Sequence, residues 1–272
     1  MKPILKWAGG KRQLVPTIQK LMPPGSRLIE PFAGGAALFF ACTGPAILND
    51  ANCELINFYQ QLRDDPEQLL DIANDWSRDE GTYYVVRDFD RASNFSTVDP
   101  IDRAARFLYL NKMAFNGMWR VNGKNQHNVP YNQKPQTQLP SLEQLREASV
   151  RLKDATITCG DYALACEGAG PGDFVYFDPP YHTSTFASYA QAGWGADDYA
   201  ALVSLCLTVN LNGAIVCLSN LGVKEVLAPF EGTAFRVIHV DHRHIFAAKA
   251  INRRKADEVL IVNVNYKELS HA

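Results

Sequence analysis

Apolar positions along this chain follow two rhythms: short unbroken runs, and longer stretches with a spacing near 3.6 residues. The short runs are Arg27-Leu28-Ile29-Glu30, Ala46-Ile47-Leu48-Asn49, Thr156-Ile157-Thr158-Cys159 and Phe174-Val175-Tyr176-Phe177, then residues 214–218, 236–240 and 259–264. Runs this short, several of them apolar on both faces, suit strands of a buried parallel sheet. The longer spacing predicts a helix starting over 36–42 and further helices over 54–62, 142–153 and 197–209. Residues 66–110 are helical in pattern throughout, and Asp99-Pro100 marks a helix start at about Ile101. Residues 116–131 are dense in Asn and Gly with short apolar pieces, which predicts a loop or hairpin projecting from helices. The pattern has no internal repeat. It reads as an α/β fold in two segments, 1–60 and 151–272, flanking a helical insertion at 61–150.

Composition narrows this picture. A chain of 272 residues that is 47% hydrophobic can bury a full core. No apolar run reaches membrane-spanning length and the N-terminus lacks a signal-peptide core, so a soluble intracellular protein is expected. The six cysteines form no Cys-x-x-Cys pair and have no His at zinc-ligand spacing. They read as small buried hydrophobes in a reducing compartment, and no metal site is expected.

The net charge of −2 conceals an asymmetry. Eleven acidic residues and three basic ones lie between Asp64 and Asp102, whereas residues 103–142 contain no acid. That second stretch carries Arg103, Arg106, Lys112, Arg120, Lys124 and Lys134 among aromatics and amides. Residues 236–255 form another basic segment. A charge run is usually a solvated face, but an acid-free stretch of this length and composition suits a polyanion surface.

The candidate chemistry sits at strand ends. Asp178-Pro179-Pro180-Tyr181 follows the run 174–177, at the carboxyl end of a strand, where open α/β sheets keep their active sites. An exocyclic amine on an aromatic ring is a poor nucleophile because its lone pair is delocalised. An Asp carboxylate and a backbone carbonyl can accept its two N–H bonds and draw the nitrogen toward tetrahedral geometry. Pro179 stiffens the turn, and Tyr181 offers a face for a base. The same residues also fit a strand closed by a Pro-rich turn with a capping Asp. Upstream, Glu30-Pro31-Phe32-Ala33-Gly34-Gly35 forms a turn into a helix, and Asp50 ends the next strand, where an acid meets ribose hydroxyls in dinucleotide folds. Glu30 could instead cap the helix, and Asp50 its own loop. The turn lacks the G-x-G-x-x-G fingerprint, which disfavours a nicotinamide cofactor. Lys6-Trp7-Ala8-Gly9-Gly10-Lys11 combines a flat aromatic, a Gly pair that permits close approach, and a cation suited to a carboxylate.

Taken in order, Lys6 to Lys11, Glu30 to Gly35, Asp50, the insertion and Asp178-Pro179-Pro180-Tyr181 resemble the Dam-like DNA adenine methyltransferases. Within the insertion, residues 111–120 and Asn128-Val129-Pro130 resemble that family's DNA-reading hairpin. Residues 253–260 resemble its last strand. The resemblance implies a Rossmann-like S-adenosylmethionine methyltransferase sheet and a target-recognition insertion at 61–150. It implies the cofactor at Trp7, Lys11, Phe32, Gly34, Asp50, Asp161 and Tyr162, and a flipped adenine at Asp178, Pro179 and Tyr181. Phe115 and Met118 would be wedges, while Lys6, Asn116 and Arg120 would read base edges. Lys112, Asn128 and Pro130 complete the implied DNA-facing set. Double-stranded DNA, with GATC as target, and the cytoplasm of a bacterium or of a phage's host are implied too; a monomer is the default expectation. Two departures stand out: Ala36 where the family commonly has Gly, and His127 where Phe often precedes Asn-Val-Pro. The first should perturb cofactor packing only slightly; the second bears on recognition.

Three other readings compete. A glutamine amide or an RNA base poses the same planar-nitrogen problem, so an RNA or protein amine methyltransferase is one. A catalytically silent DNA-binding relative is a second, and a nicotinamide oxidoreductase a distant third. Binding without turnover would mark the silent relative, and cofactor retention on purification would mark the oxidoreductase.

Overall fold

A computed structural model describes residues 1–180, 194–240 and 258–264. After helix α1 (Val15–Gln19) the chain lays down β1 (Arg27–Glu30), α2 (Ala37–Ala41), β2 (Ala46–Asp50) and α3 (Cys53–Asp64). Three helices follow, α4 (Pro66–Asp75), α5 (Glu80–Arg87) and α6 (Pro100–Met113), and then the hairpin region. α7 (Leu142–Leu152), β3 (Ala155–Cys159), α8 (Tyr162–Ala165) and β4 (Asp173–Phe177) return the chain to the sheet. The last described elements are α9 (Ala196–Leu211), β5 (Ile215–Leu221), α10 (Lys224–Leu227), β6 (Arg236–Val240) and β7 (Glu258–Val262).

The seven strands are ordered β3-β2-β1-β4-β5-β7-β6. β1 to β5 are mutually parallel, and β7 runs antiparallel between β5 and β6. The sheet is thus the mixed α/β sheet expected, of the Rossmann-like methyltransferase kind. Its strand order reverses between β1 and β4, so the carboxyl ends of these two strands flank the crevice in which such sheets bind ligands.

Alternation along β4 explains the two cores. Phe174 and Tyr176 face one layer, with Leu28, Phe58, Leu62, Phe107 and Leu145. Val175 and Phe177 face the other, with Ile29, Leu218 and the α9 residues Leu202 and Cys206. Each such side chain contributes about 1.5–3 kcal/mol by leaving water. The helices of the insertion share the first core with the sheet. Among the described residues a third core joins α5, α6 and the hairpin, in which Tyr83, Val86, Tyr109, Met113, Val129 and Tyr131 pack together.

Capping side chains set the helix starts. Asn52 accepts the N–H groups of Glu54 and Leu55, Asp65 that of Gln68, and Asp99 that of Ile101; Ser141 and Gln144 form a capping box. Pro at the first position of α4 and α6 costs no hydrogen bond there. The helix at 36–42 begins one residue later than its pattern, because Ala36 takes a left-handed conformation with φ 49°. A Cβ in that region costs about 1–2 kcal/mol, so the position favours glycine.

Two expectations need correction. Cys53 and Cys159 form a disulfide, so the cysteines are not all unpaired small hydrophobes. Cys166, Cys206 and Cys217 are buried and free, as expected, and Cys42 is partly buried. The second concerns the acid-free stretch, because half of its cations are internal. Arg106 is 2% exposed and pairs with Asp90, Arg103 pairs with Glu54, and the Lys112 ammonium donates to the Ile4 carbonyl. Arg120, Lys124 and Lys134 are the exposed ones.

Candidate active site

The carboxyl ends of β1, β2 and β4 bring together residues that are far apart in sequence. Asp178 directly follows β4, and its side chain is 21% exposed. Lys11 Nζ lies 3.0 Å from Asp178 Oδ1 and 3.5 Å from Glu258 Oε1, and donates to Gly9 O at 2.7 Å. Ser219 Oγ donates to the same Asp178 Oδ1 at 2.9 Å. Burial pushes the Asp178 carboxyl above its ordinary value, opposed by the Lys11 charge and the bonds from Lys11 and Ser219. Pro179 is buried beside it. Tyr181 lies outside the described residues, as do Arg243, Lys249, Arg253, Arg254 and Lys255 of the second basic segment.

At the β1 turn both alternatives left open by the sequence are realised. Glu30 accepts the Phe39 N–H at 3.1 Å inside α2, and burial pushes its carboxyl up to about 8. Asp50 accepts the Asn52 N–H at Oδ1, as a loop cap, and the Gly34 N–H at Oδ2, both at 2.9 Å. Gly34 has φ 48°, and a Cβ there would stand 2.8 Å from Trp7 Cδ1. Only glycine lets the indole of Trp7 lie on this turn. Tyr59 Oη seals the turn from below by donating to Gly34 O at 2.7 Å.

Phe32 stacks on Tyr162 at 5.0 Å and meets Trp194 edge-on at 5.7 Å. Asp161, exposed, caps α8 by accepting the Ala163 N–H. The turn, the acid at the end of β2 and this aromatic wall are the donor set that a nucleoside with an amino-acid tail requires. Carboxylate oxygens suit a ribose diol, and flat rings suit adenine. The residues present therefore fit S-adenosylmethionine.

The hairpin stands apart from this crevice. It is antiparallel, with bridges Ala114↔Tyr131 and Val121↔His127. Phe115 is 47% exposed at its start, and Asn116 has φ 55°. Arg120 Nε donates to Asn128 Oδ1 across the hairpin at 2.8 Å, and Arg120, Asn116 and Pro130 are exposed. Met118 is half-buried. Lys6, exposed, comes from the opposite end of the chain to lie on Gly117, where a Cβ would stand 2.6 Å from Lys6 Cδ. Asn111 brackets the Lys6 backbone: its Oδ1 accepts the Lys6 N–H at 3.0 Å and its Nδ2 donates to Lys6 O at 2.7 Å.

Ser219, Tyr59 and Trp194 were given no site role by the sequence, and Asn111 and Glu258 entered only as members of longer stretches. For Ser219 a signal was present, since Ser219-Asn220 interrupts an otherwise apolar strand.

A family model described as D12 class N6 adenine-specific DNA methyltransferase matches residues 7–245. The chain belongs to this family. It is 37% identical to a type II methyltransferase of Lactococcus lactis subsp. cremoris, covering 97% of this chain and 95% of that one. A type II methyltransferase of Methanocaldococcus jannaschii is 34% identical, over 81% of this chain and 84% of its own length. A DNA adenine methylase of Vibrio cholerae is 32% identical over 95% of each chain. The methyltransferase has no helix, among the described residues, long and apolar enough to cross a membrane. Nor do its described residues include a cluster of His, Cys, Asp and Glu that could hold a metal ion.

Proposed function

We propose that this methyltransferase moves a methyl group from S-adenosylmethionine to N6 of an adenine flipped out of double-stranded DNA, with GATC as the preferred site. The observation that carries the proposal is Asp178 at the end of β4, with Lys11 and Ser219 both bonded to one of its oxygens. We assign the other oxygen, Oδ2, to accept an N6–H bond from the substrate. The backbone carbonyl of Pro179 is the second acceptor, and Tyr181 supplies the stacking face. Bound S-adenosylmethionine supplies an electrophilic methyl group on a sulfonium. The carboxylate of Asp178 orients the amine, stabilises positive charge as it builds on nitrogen, and holds the proton that nitrogen must shed. The sequence has no Pro-Cys pair, in keeping with a route that needs no covalent enzyme intermediate.

Trp7, Lys11, Phe32, Gly34, Asp50, Asp161 and Tyr162 hold the cofactor, and Lys11 also pairs with Asp178. Residues 61–150 form the target-recognition unit, and 1–60 with 151–272 the catalytic one. Extruding the base costs about a few kcal/mol, which Phe115 and Met118 offset in part by filling the gap in the stack. Arg120, Lys6 and Asn116 read base edges, and each good bidentate contact discriminates by about 1–3 kcal/mol. Asn128 and Pro130 complete the DNA-facing set with Lys112, whose ammonium also donates to the Ile4 carbonyl. The enzyme acts as a monomer in the cytoplasm of a bacterium or of a phage's host, and restriction-modification is the setting in keeping with the type II names of two relatives.

The test is incubation with methyl-labelled S-adenosylmethionine and two duplexes, one with GATC and one with those bases scrambled, nucleosides being read by mass. Label in N6-methyladenine from the first duplex alone is expected. Label from both would remove the site assignment, and label in neither would remove the function. Asp178→Ala should abolish turnover while DNA affinity stays; near-normal turnover would free Asp178 of its role.

A further inference from the structure

We propose that Ser219 is a positioning residue for methyl transfer, donating its proton to Oδ1 of Asp178 and so reserving Oδ2 for the substrate amine. The inference rests on the role given to Asp178 above. Ser219 is fully buried near the end of β5, between the apolar run Val216, Cys217 and Leu218 and the buried Asn220. A hydroxyl is costly in such a strand unless its bonds are made. The β4–β5 register, Tyr176↔Cys217 and Phe177↔Leu218, continues to place Ser219 beside Asp178.

The bonds around Ser219 have a direction. Tyr176 Oη donates to Ser219 Oγ at 3.2 Å, which occupies the serine oxygen as an acceptor. The serine proton then has two acceptors within reach, Asp178 Oδ1 at 2.9 Å and Phe177 O at 3.4 Å. The carboxylate is both nearer and charged, so it takes the bond. Lys11 Nζ converges on the same oxygen from the N-terminal segment. The terminal torsion of an Asp side chain is soft and broad. Two donors from separate parts of the fold on one oxygen hold the carboxylate plane and direct the other oxygen to the crevice.

A residue that only fills space and one that holds an ionised carboxylate differ in their pH signature. Among the described residues the groups facing Asp178 are Lys11, Ser219 and Glu258, with Glu30 and the Cys217 thiol within electrostatic range. The Ser219 bond favours the ionised form of Asp178. Its loss therefore moves protonation, and with it the acidic limb of the rate profile, to higher pH.

The experiment measures the single-turnover rate of methyl transfer to duplex DNA against pH, for wild type, Ser219→Ala and Ser219→Thr. Losing one charge-assisted bond should lower the plateau rate of Ser219→Ala about tenfold and raise its acidic limb by about one pH unit. KM for DNA and for S-adenosylmethionine should not change, and Ser219→Thr, which keeps the hydroxyl, should restore both features. If the Ala variant does not fold, Ser219→Cys keeps the packing with a weak donor and should show the same upward limb. A limb that stays in place overturns the proposal, whatever happens to the rate. Wild-type turnover with an unmoved limb sinks Ser219 alone, whereas absence of wild-type methylation sinks the function and this inference together.

Discussion

His127 is fully buried, packs against Trp119 with ring centroids 4.7 Å apart and the planes tilted by 48°, and gives its backbone N–H to Asp90 at 2.7 Å. It is a core residue of the hairpin, so the departure from Phe at this position does not put a new group on the reading face. The ring carries a cost that Phe would not. Burial first, and then the Arg106 charge, push its pKa down to about 4 from 6.5, against Asp90 and the Met118 backbone. As pH falls below 6.5 the unfolded chain takes up a proton that the folded one refuses until about 4. Stability is therefore lost across that window and is untouched above it. Relative to His127→Phe, the wild type should lose about 3 kcal/mol between neutral pH and pH 4 in denaturant titrations. Buried Glu30 has the opposite sign, because its raised pKa makes the fold bind a proton more tightly than the unfolded chain does, so only the difference between the two proteins isolates His127. A difference that is flat with pH would mean that the ring titrates normally.

At the level of elements, α6 and the hairpin carry the N-terminal segment as an annex. Asn111 near the end of α6 makes both bonds to the Lys6 backbone and donates to Gly117 O at 3.3 Å. Lys112 holds Ile4 from the next position. One side chain thus ties a base-reading candidate from the start of the chain to the hairpin that bears the others. Asn111→Asp keeps the acceptor for the Lys6 N–H, but sets an oxygen against two carbonyls in place of a donor. Discrimination between the preferred site and a one-base variant should fall about tenfold, the loss of one good base contact. Binding to unrelated DNA should hold, since phosphate contacts dominate it. Equal losses on every sequence, in a competition binding assay, would make Asn111 a folding residue only.

For the molecule as a whole, the disulfide closes the insertion. Cys53 lies where the chain leaves β2 for the helices and Cys159 where it returns through β3, 106 residues later. The bond therefore pins both ends of the segment that carries the hairpin, beside the loop that holds Asp50. A crosslink over a loop of that size stabilises by about 4.7 kcal/mol in the chain-entropy account, and by about 2–4 typically. Thermal unfolding should shift downward by several degrees on reduction with a dithiol, and Cys53→Ser should show the reduced value without reductant. Identical midpoints in both states would remove the bond from the stability of the fold.

Strand periodicity, the Gly turn and the residues Asp178-Pro179 were legible because each is a local property of the chain. A buried strand needs an apolar run, a close-approach turn needs glycine, and short motifs report short-range geometry. The unbroken apolar run 174–177 marked β4 as buried on both faces, and packing then showed which layer each residue meets. Which cations face solvent was not legible, because Arg106 and Arg120 look alike until Asp90 is folded beside one of them. The pairing of Cys53 with Cys159, the bracket of Asn111 around Lys6 and the meeting of Lys11, Asp178 and Ser219 all join distant parts of the chain. The sequence by itself determined the elements, the family and the carboxylate at the strand end. Tertiary structure alone decided which partners hold that carboxylate and which charges remain for DNA, since burial and ion pairing depend on neighbours that only folding supplies.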